Sequence, residues 1–263
     1  MFAAIAGAWR YRGFIISSVV NDFKARLSRT KFGAAWIVLQ PLANVLIFAS
    51  ILSNVLAARL PGNQSKYGYV VYLMAGMACW SLFTEIVQRC VTVFIDNGTL
   101  LKKIQFPRIA LPAVVIGIAS VNNFVYLTVV LLLLPILAVY PGVHYLWLPL
   151  LMVMTVGLAA GIGLFLGTLN VFARDIGQVV SVVLQFWFWM TPIVYPAAIV
   201  PEPFKSTLAL NPVLPLVVGY QNVLLFKTPP PTRLIWLGML VVLLLAGAFF
   251  IFRRASSEMV DML

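Results

Sequence analysis

Glu85 and Arg89 stand four residues apart in an otherwise uncharged stretch, in the order in which a carboxylate and a guanidinium neutralise each other along a helix. Charge inside an apolar span is a functional hypothesis by default, and a proton relay is one such function. A relay would want further acids in other spans, and the other long apolar stretches hold none. The pair therefore reads first as a structural clamp. Two more groups carry chemistry without charge. Trp36, Gln40, Asn44 and Phe48 recur every four residues and fall on one slowly winding stripe. Gln178, Ser181, Gln185 and Trp189 repeat at three and four, with Phe186, Trp187 and Phe188 adjacent and Tyr195 beyond. Uncharged amides alternating with aromatics suit a sugar, because amides hydrogen-bond hydroxyls and rings stack on the apolar faces of pyranoses. The same residues also serve interhelical amide hydrogen bonds, worth about 0.6 kcal/mol each, with the aromatics as packing.

Other chemistry lacks its groups. There is no G-x-x-x-x-G-K-[ST] phosphate loop, no H-E-x-x-H, no G-x-S-x-G and no D-x-D, and the only histidine is His144. Cys79 and Cys90 lie in one apolar segment about 16 Å apart along a helix, too far to pair within it. ATP hydrolysis by the usual route, ion-coupled transport and intramembrane catalysis are all without their usual residues. A passive pathway driven from outside is what remains.

The elements that must position these residues are set by composition. The 263 residues are 62% hydrophobic and only 10% charged, with a mean hydropathy of +1.02, against roughly 25% charged in globular proteins. This is too little polar surface for a water-soluble particle, so an all-α integral membrane protein is expected, as a single transmembrane domain over 1–263. The net charge of +11 marks cytoplasmic anchoring and anionic lipid, and no nucleic-acid partner is expected. Six spans are expected: 33–57, 67–95, two within the 65 residues of 109–173 that hold no Lys, Arg, Asp or Glu, 176–195, and 234–252. Tyr140-Pro141-Gly142 divides the long run into a hairpin. Nine of the sixteen prolines fall between Pro192 and Pro231, so 206–226, although uncharged, reads as short broken re-entrant helices. With both termini cytoplasmic, twelve basic residues lie inside and five outside, which satisfies the positive-inside rule. The segments are then 1–32 as a cytoplasmic interfacial part, 33–195 as spans one to five, 196–232 as the outer re-entrant region, and 233–263 as the last span and tail. The first thirty residues lack the apolar core and cleavage site of a signal peptide and are expected in the mature protein.

Around 17–32, Val20, Phe23 and Leu27 recur at three and four while Lys24, Arg26, Arg29 and Lys31 occupy other faces, the pattern of a basic helix lying in the membrane interface. It serves either as plain topogenic charge or as a contact for a partner or an anionic headgroup. In the inner loop, Asn97-Gly98 stops one helix, Thr99 can cap another and Pro107 ends it. That short helix is expected to show Leu100, Leu101, Ile104 and Phe106 to the cytoplasm beside Lys102 and Lys103, as a docking knob or an ordinary basic loop. Gly157, Gly161, Gly163 and Gly167 form two small-xxx-small pairs for close helix packing. Asp175 is expected to cap the fifth span.

These pieces together resemble a known family. Tyr11-Arg12 precedes the basic helix, and Lys31-Phe32-Gly33-Ala34-Ala35-Trp36 with Gln40-Pro41 opens the first span. Leu101-Lys102-Lys103-Ile104-Gln105-Phe106-Pro107-Arg108 follows, then Leu166-Gly167-Thr168 through Phe172-Ala173-Arg174-Asp175. Met190-Thr191-Pro192-Ile193-Val194-Tyr195 and Asn211-Pro212 complete the set. In order and spacing they resemble the transmembrane subunit of bacterial polysaccharide exporters of the ABC transporter superfamily, over essentially the whole chain.

The resemblance implies a homodimer in the bacterial cytoplasmic membrane that exports a glycan carried on polyprenyl pyrophosphate. Its channel would run between protomers along the first and fifth spans, past Trp36, Gln40, Asn44, Phe48, Gln178, Gln185, Phe186, Trp189 and Tyr195. Two copies of a separate ATPase would bind ATP and Mg, none being held here, and would dock on Thr99, Leu100, Leu101, Lys102, Lys103, Ile104 and Phe106. The re-entrant helices would form the outer gate. Arg26, Arg29 or Lys31 would meet the pyrophosphate. Related exporters of drugs, lipids or teichoic acids are the alternative, and after them a membrane-bound lipid- or glycan-modifying enzyme.

Overall fold

Gly68–Asp96 is a helix of 29 residues with no proline, about 43 Å long by its rise per residue and ample for a hydrocarbon core of about 30 Å. It is the hub of the fold. In the computed structural model, which describes residues 11–29, 35, 39, 42–43, 47, 67–103, 108–137, 139–140, 142–256 and 258–262, every other long helix but the first packs on it or on its closest neighbour. In chain order the helices are α1 (Arg12–Arg29), α2 (Gly68–Asp96), α3 (Gly98–Lys103), α4 (Ala110–Leu133), α5 (Leu148–Phe172), α6 (Ile176–Met190), α7 (Glu202–Ala209), α8 (Leu214–Gln221), α9 (Leu234–Ala255) and α10 (Met259–Met262). A 3-10 turn at Val143–Trp147 leads into α5, and a π-helical turn at Asn222–Phe226 ends α8.

Four described helices are long and apolar enough to cross a membrane: Gly68–Asp96, Ala110–Leu133, Val143–Phe172 and Leu234–Ala255. Counting the bent pair Glu202–Ala209 and Leu214–Phe226 as one crossing makes five. Four of the six expected spans are among these helices. The expected first span, 33–57, lies largely outside the described residues, though Ala35, Leu39, Leu42, Ala43 and Ile47 are helical. The fifth stops at Met190 rather than Tyr195, because Thr191 precedes a proline and turns extended at φ −105°, ψ 132°. At 15 residues it is about 22 Å long, short of the membrane core. The broken helices expected here are present as a pair, Glu202–Ala209 and Leu214–Phe226, whose halves are bent by 102°.

The α2–α5 contact is a backbone contact. A Cβ on Gly163 would lie 2.8 Å from the Cys90 Cβ and 3.3 Å from the Val87 Cα, and one on Gly167 would overlap the Cys90 carbonyl. Gly157 and Gly161, six residues back and hence about 240° round the helix, face α9 instead. A Cβ on Gly157 would come 2.6 Å from Val241 Cγ1, and one on Gly161 3.2 Å from Leu244 Cβ. The two small-residue pairs therefore serve two different neighbours. α4 joins the hub by polar contacts: Asn123 Nδ2 donates to the Ala78 carbonyl at 2.7 Å, and the Tyr126 hydroxyl to the Met74 carbonyl at 3.3 Å. Gly167→Ala should cost about 1–3 kcal/mol by forcing the backbones apart. Gly247→Ala, with nothing within 4 Å of its Cβ, should leave stability unchanged. Thermal unfolding of both variants in detergent compares them, and equal midpoints would disprove the close approach.

Candidate functional site

α6 is the least covered long helix beside the hub. Only Val180 and Leu184 are buried, while Gln178, Val179, Ser181, Val182, Val183, Gln185, Phe186, Trp189 and Met190 are exposed. Its hold on the body comes from two of its aromatics. Trp187 meets Phe83 of α2 edge-on at 5.4 Å, and Phe188 meets Trp80 at 5.7 Å. The aromatic run is therefore split by helical geometry: Trp187 and Phe188 anchor, and Phe186 and Trp189, 68% and 55% exposed, face out. The expected pathway residues Gln178, Gln185, Phe186 and Trp189 come together on this open side. Neither glutamine amide has a hydrogen-bond partner among the described residues. Trp36, Gln40, Asn44 and Phe48 lie outside the described residues.

At the C-terminal end of α6 a cleft of about 810 Å³ opens towards α7, lined by Phe186, Trp189, Met190, Tyr195, Phe204 and Leu208 among others. Tyr195 sits at its edge with its hydroxyl engaged, donating to the Trp189 carbonyl at 2.8 Å. The cleft is apolar and aromatic, and the amides of the stripe lie nearer the middle and inner end of the helix.

The chain between α6 and the re-entrant pair is bolted to the body. Thr191 to Val194 are buried and non-helical, and the carbonyls of Pro192 and Val194 find side-chain donors. Tyr69 donates to the Val194 carbonyl at 2.7 Å. Tyr72 lies 3.0 Å from the carbonyls of both Pro192 and Tyr195, and Gln221 Nε2 donates to Pro192 at 3.1 Å. Away from water, a broken helix must satisfy its freed carbonyls in this way. Sequence reasoning passed over Tyr69 and Tyr72. Two phenols three residues apart at the outer end of an apolar stretch were the available signal.

The N-terminal end of α6 corrects an expectation. Asp175 adopts helical angles, φ −69° and ψ −19°, and makes no side-chain cap. The cap is Asn170 on α5: its Oδ1 accepts the Gly177 amide at 2.9 Å and its Nδ2 donates to the Val91 carbonyl at 2.9 Å. One buried amide thus ties α2, α5 and α6 together.

Glu85 and Arg89 do pair, at 3.1 Å and half-buried. Asn122 Nδ2 of α4 donates to the same carboxylate oxygen at 2.7 Å, so the pair also clamps α4 to α2. In α1 the side facing the protein is Ile15, Ser18, Val19, Asp22 and Phe23, all half-buried, with Val20 exposed. Val19 lies over Gly117 of α4. The expected Val20–Phe23–Leu27 stripe is rotated accordingly, because the close approach at Gly117 admits Val19. Arg26 and Arg29 are helical but their side chains, like Lys31, lie outside what is described.

α3 forms as expected, but not as a fully exposed knob. Thr99 lies inside the helix rather than capping it, and is exposed with Lys102. Leu101, expected to face the cytoplasm, is only 6% exposed. It is turned inward because α3 packs on α2 and on α10, whose Met259 is fully buried. The side chains of Leu100 and Lys103, with Ile104 and Phe106, lie outside the described residues.

A helical body with several membrane-spanning helices, a short helix α3, an uncovered amide-bearing α6 and a broken α7–α8 pair fits a transport component of the membrane. The sequence signature of the ABC-2 type transporter family matches residues 15–225, and the chain belongs to that family. It is similar to the O-antigen export system permease protein RfbA of Myxococcus xanthus, 27% identical over 99% of both chains. It is also similar to the protein of that name from Klebsiella pneumoniae, 26% identical over 79% of this chain and 78% of the relative. The polysialic acid transport protein KpsM of Escherichia coli is 22% identical over 75% of this chain and 76% of its own length.

Asn170→Leu should cost about 1–3 kcal/mol, since it strands the Gly177 amide and the Val91 carbonyl. Asp175→Ala should stay within about 0.5 kcal/mol. Chemical denaturation of the two purified variants checks the contrast, and a larger loss in Asp175→Ala would restore Asp175 as the cap.

Proposed function

We propose that this chain is the permease subunit of an ATP-driven exporter that moves a lipid-linked, O-antigen-like polysaccharide across the bacterial inner membrane. The single observation that carries the reading is the open side of α6. Gln178, Ser181 and Gln185 are exposed on a helix surrounded by apolar spans, where unpartnered amides are costly against lipid and useful against hydroxyls. Phe186 and Trp189 continue that side with rings for sugar faces. The glycan-exporting relatives, two of which align over most of both chains, support the same cargo.

Two copies of this chain would bring their α6 helices and first spans together around the path. The termini would lie in the cytoplasm. Two copies of an ABC ATPase, holding ATP and Mg, would engage α3 through Thr99, Lys102 and the residues that follow, with Leu101 and Met259 securing that helix from behind. Arg26, Arg29 and Lys31 at the end of α1 would receive the pyrophosphate of a polyprenyl-linked cargo. The outer cleft, being apolar, also suits a lipid cargo, so the runner-up is a lipid or drug exporter of the same class.

Mild-detergent purification from native membranes should bring down a phosphate-loop ATPase in equal amounts with this chain. Purification of the chain alone, where a known transporter of this type keeps its ATPase, would overturn the coupling role. In vesicles containing the complex, the Gln178→Ala/Gln185→Ala variant should lower glycan export about tenfold, the factor that ~1.4 kcal/mol of lost interaction produces, with an unchanged thermal midpoint. Undiminished glycan export with lost lipid or drug transport would favour the runner-up.

A further inference from the structure

The two halves of the bent outer pair are held very differently. α8 is built into the body: Leu216, Val217, Gly219, Tyr220 and Gln221 are buried against α2 and α5. α7 has no extended packing partner among the described helices and no buried residue. Phe204 is 64% exposed and Leu210, just past its end, 83%. The Lys205–Glu202 ion pair that α7 carries lies within the helix itself. A prolines-and-loop segment precedes it, with Pro196 and Pro201 in extended conformation.

The corner between the halves is fixed by one side chain. Asn211 Oδ1 accepts from Trp187 Nε1 of α6 at 2.9 Å and from the Val213 amide at 2.9 Å, while its Nδ2 donates to Thr191 Oγ1 at 2.9 Å. Thr191 Oγ1 in turn donates to the Trp187 carbonyl at 2.8 Å. Trp187 packs on Phe83 of the hub, and Thr191 opens the segment that Tyr69, Tyr72 and Gln221 bolt down. The point at which α7 leaves the body is thus tied, through Asn211, to the last turn of α6. Three of the four hydrogen-bonding positions of the amide are used within this knot, so it acts by position.

We infer that Asn211 is the positioning residue of an outer flap: it pins the α7–α8 corner to the end of α6, so that α8 stays as scaffold and α7 alone swings over the aromatic outer end of α6. This rests on the reading of α6 as the wall of the export path and narrows its outer closure to one eight-residue helix. In the structure Phe186 and Trp189 stand exposed across an open cleft from α7, and closure of α7 onto α6 covers them. Movement of α8 would instead break the buried contacts with α2 and α5.

The test uses the full complex with its ATPase in vesicles carrying a Met190→Cys/Leu208→Cys variant, whose engineered thiols line the same cleft from α6 and α7. The native Cys79 and Cys90 are buried and do not compete for reagent. A short cleavable thiol-reactive linker should stop glycan export while ATP hydrolysis continues, and cleavage should restore it. Undiminished export with the link in place overturns the flap. The same variant without linker must export: its failure, with the ATPase bound, overturns the exporter reading on which the flap rests. Spin labels at the two engineered positions should give a distance distribution that broadens in Asn211→Ala. Asn211→Asp keeps the acceptor for Trp187 and Val213 and should narrow it again. An unchanged distribution in Asn211→Ala, or no recovery in Asn211→Asp, overturns the positioning role.

Discussion

A chain that leaves the helical state inside a membrane frees carbonyls and amides that no water can satisfy. The segment from Thr191 to Tyr195 is where this protein meets that constraint, and much of the outer half follows from how it is met. Pro192 forces the break. The carbonyls so released are taken up by two phenols on α2 and an amide at the end of α8. Those three donors come from two helices remote in sequence, so satisfying the break also fixes where α8 must lie against α2. The Ile193 side chain contributes to the same fit, filling the space a Cβ on Gly76 would need at 3.1 Å. The short α6 is the consequence of a single proline placed where donors exist to receive it, while the bend between α7 and α8 falls at a proline of its own, Pro212.

Further in, the governing contact is steric. α5 can touch the α2 backbone because Gly163 and Gly167 present no side chain there, and its other glycine pair does the same for α9. Lipid offers no hydrophobic drive between helices, so close van der Waals approach and a few buried hydrogen bonds must supply the association. Asn170, Asn122 and Asn123 are those bonds. Each amide reaches a group on α2, so the hub is specified by polar contacts as well as by shape.

Hydropathy and proline placement made the spans and the broken outer pair legible, since both depend on local composition. What the sequence hid depended on which neighbour a residue meets. Asp175 stood in the expected cap position, but Asn170, five residues earlier on another helix, reaches the Gly177 amide in its place. Leu101 reads the same whether it faces a partner subunit or its own tail, and only the seat of Met259 decides. In the run Phe186 to Trp189, adjacent rings point about 100° apart, so spacing identified the cluster without saying which pair turns inward. The glutamine repeat at 178 and 185 was readable because no other face of α6 carries an amide.

α9 is the last long helix described and the least enclosed of the four candidate spans, with 22% of its apolar stretch buried against 78% for α2. Its principal seat is the groove left by Gly157 and Gly161 on α5. During synthesis, therefore, the bundle of α2, α4 and α5 can close before α9 leaves the ribosome, and it waits with one groove open. A chain interrupted before residue 234 would carry that groove bare into the bilayer, which gives the cell's membrane quality control a structural mark by which to tell an unfinished subunit from a finished one.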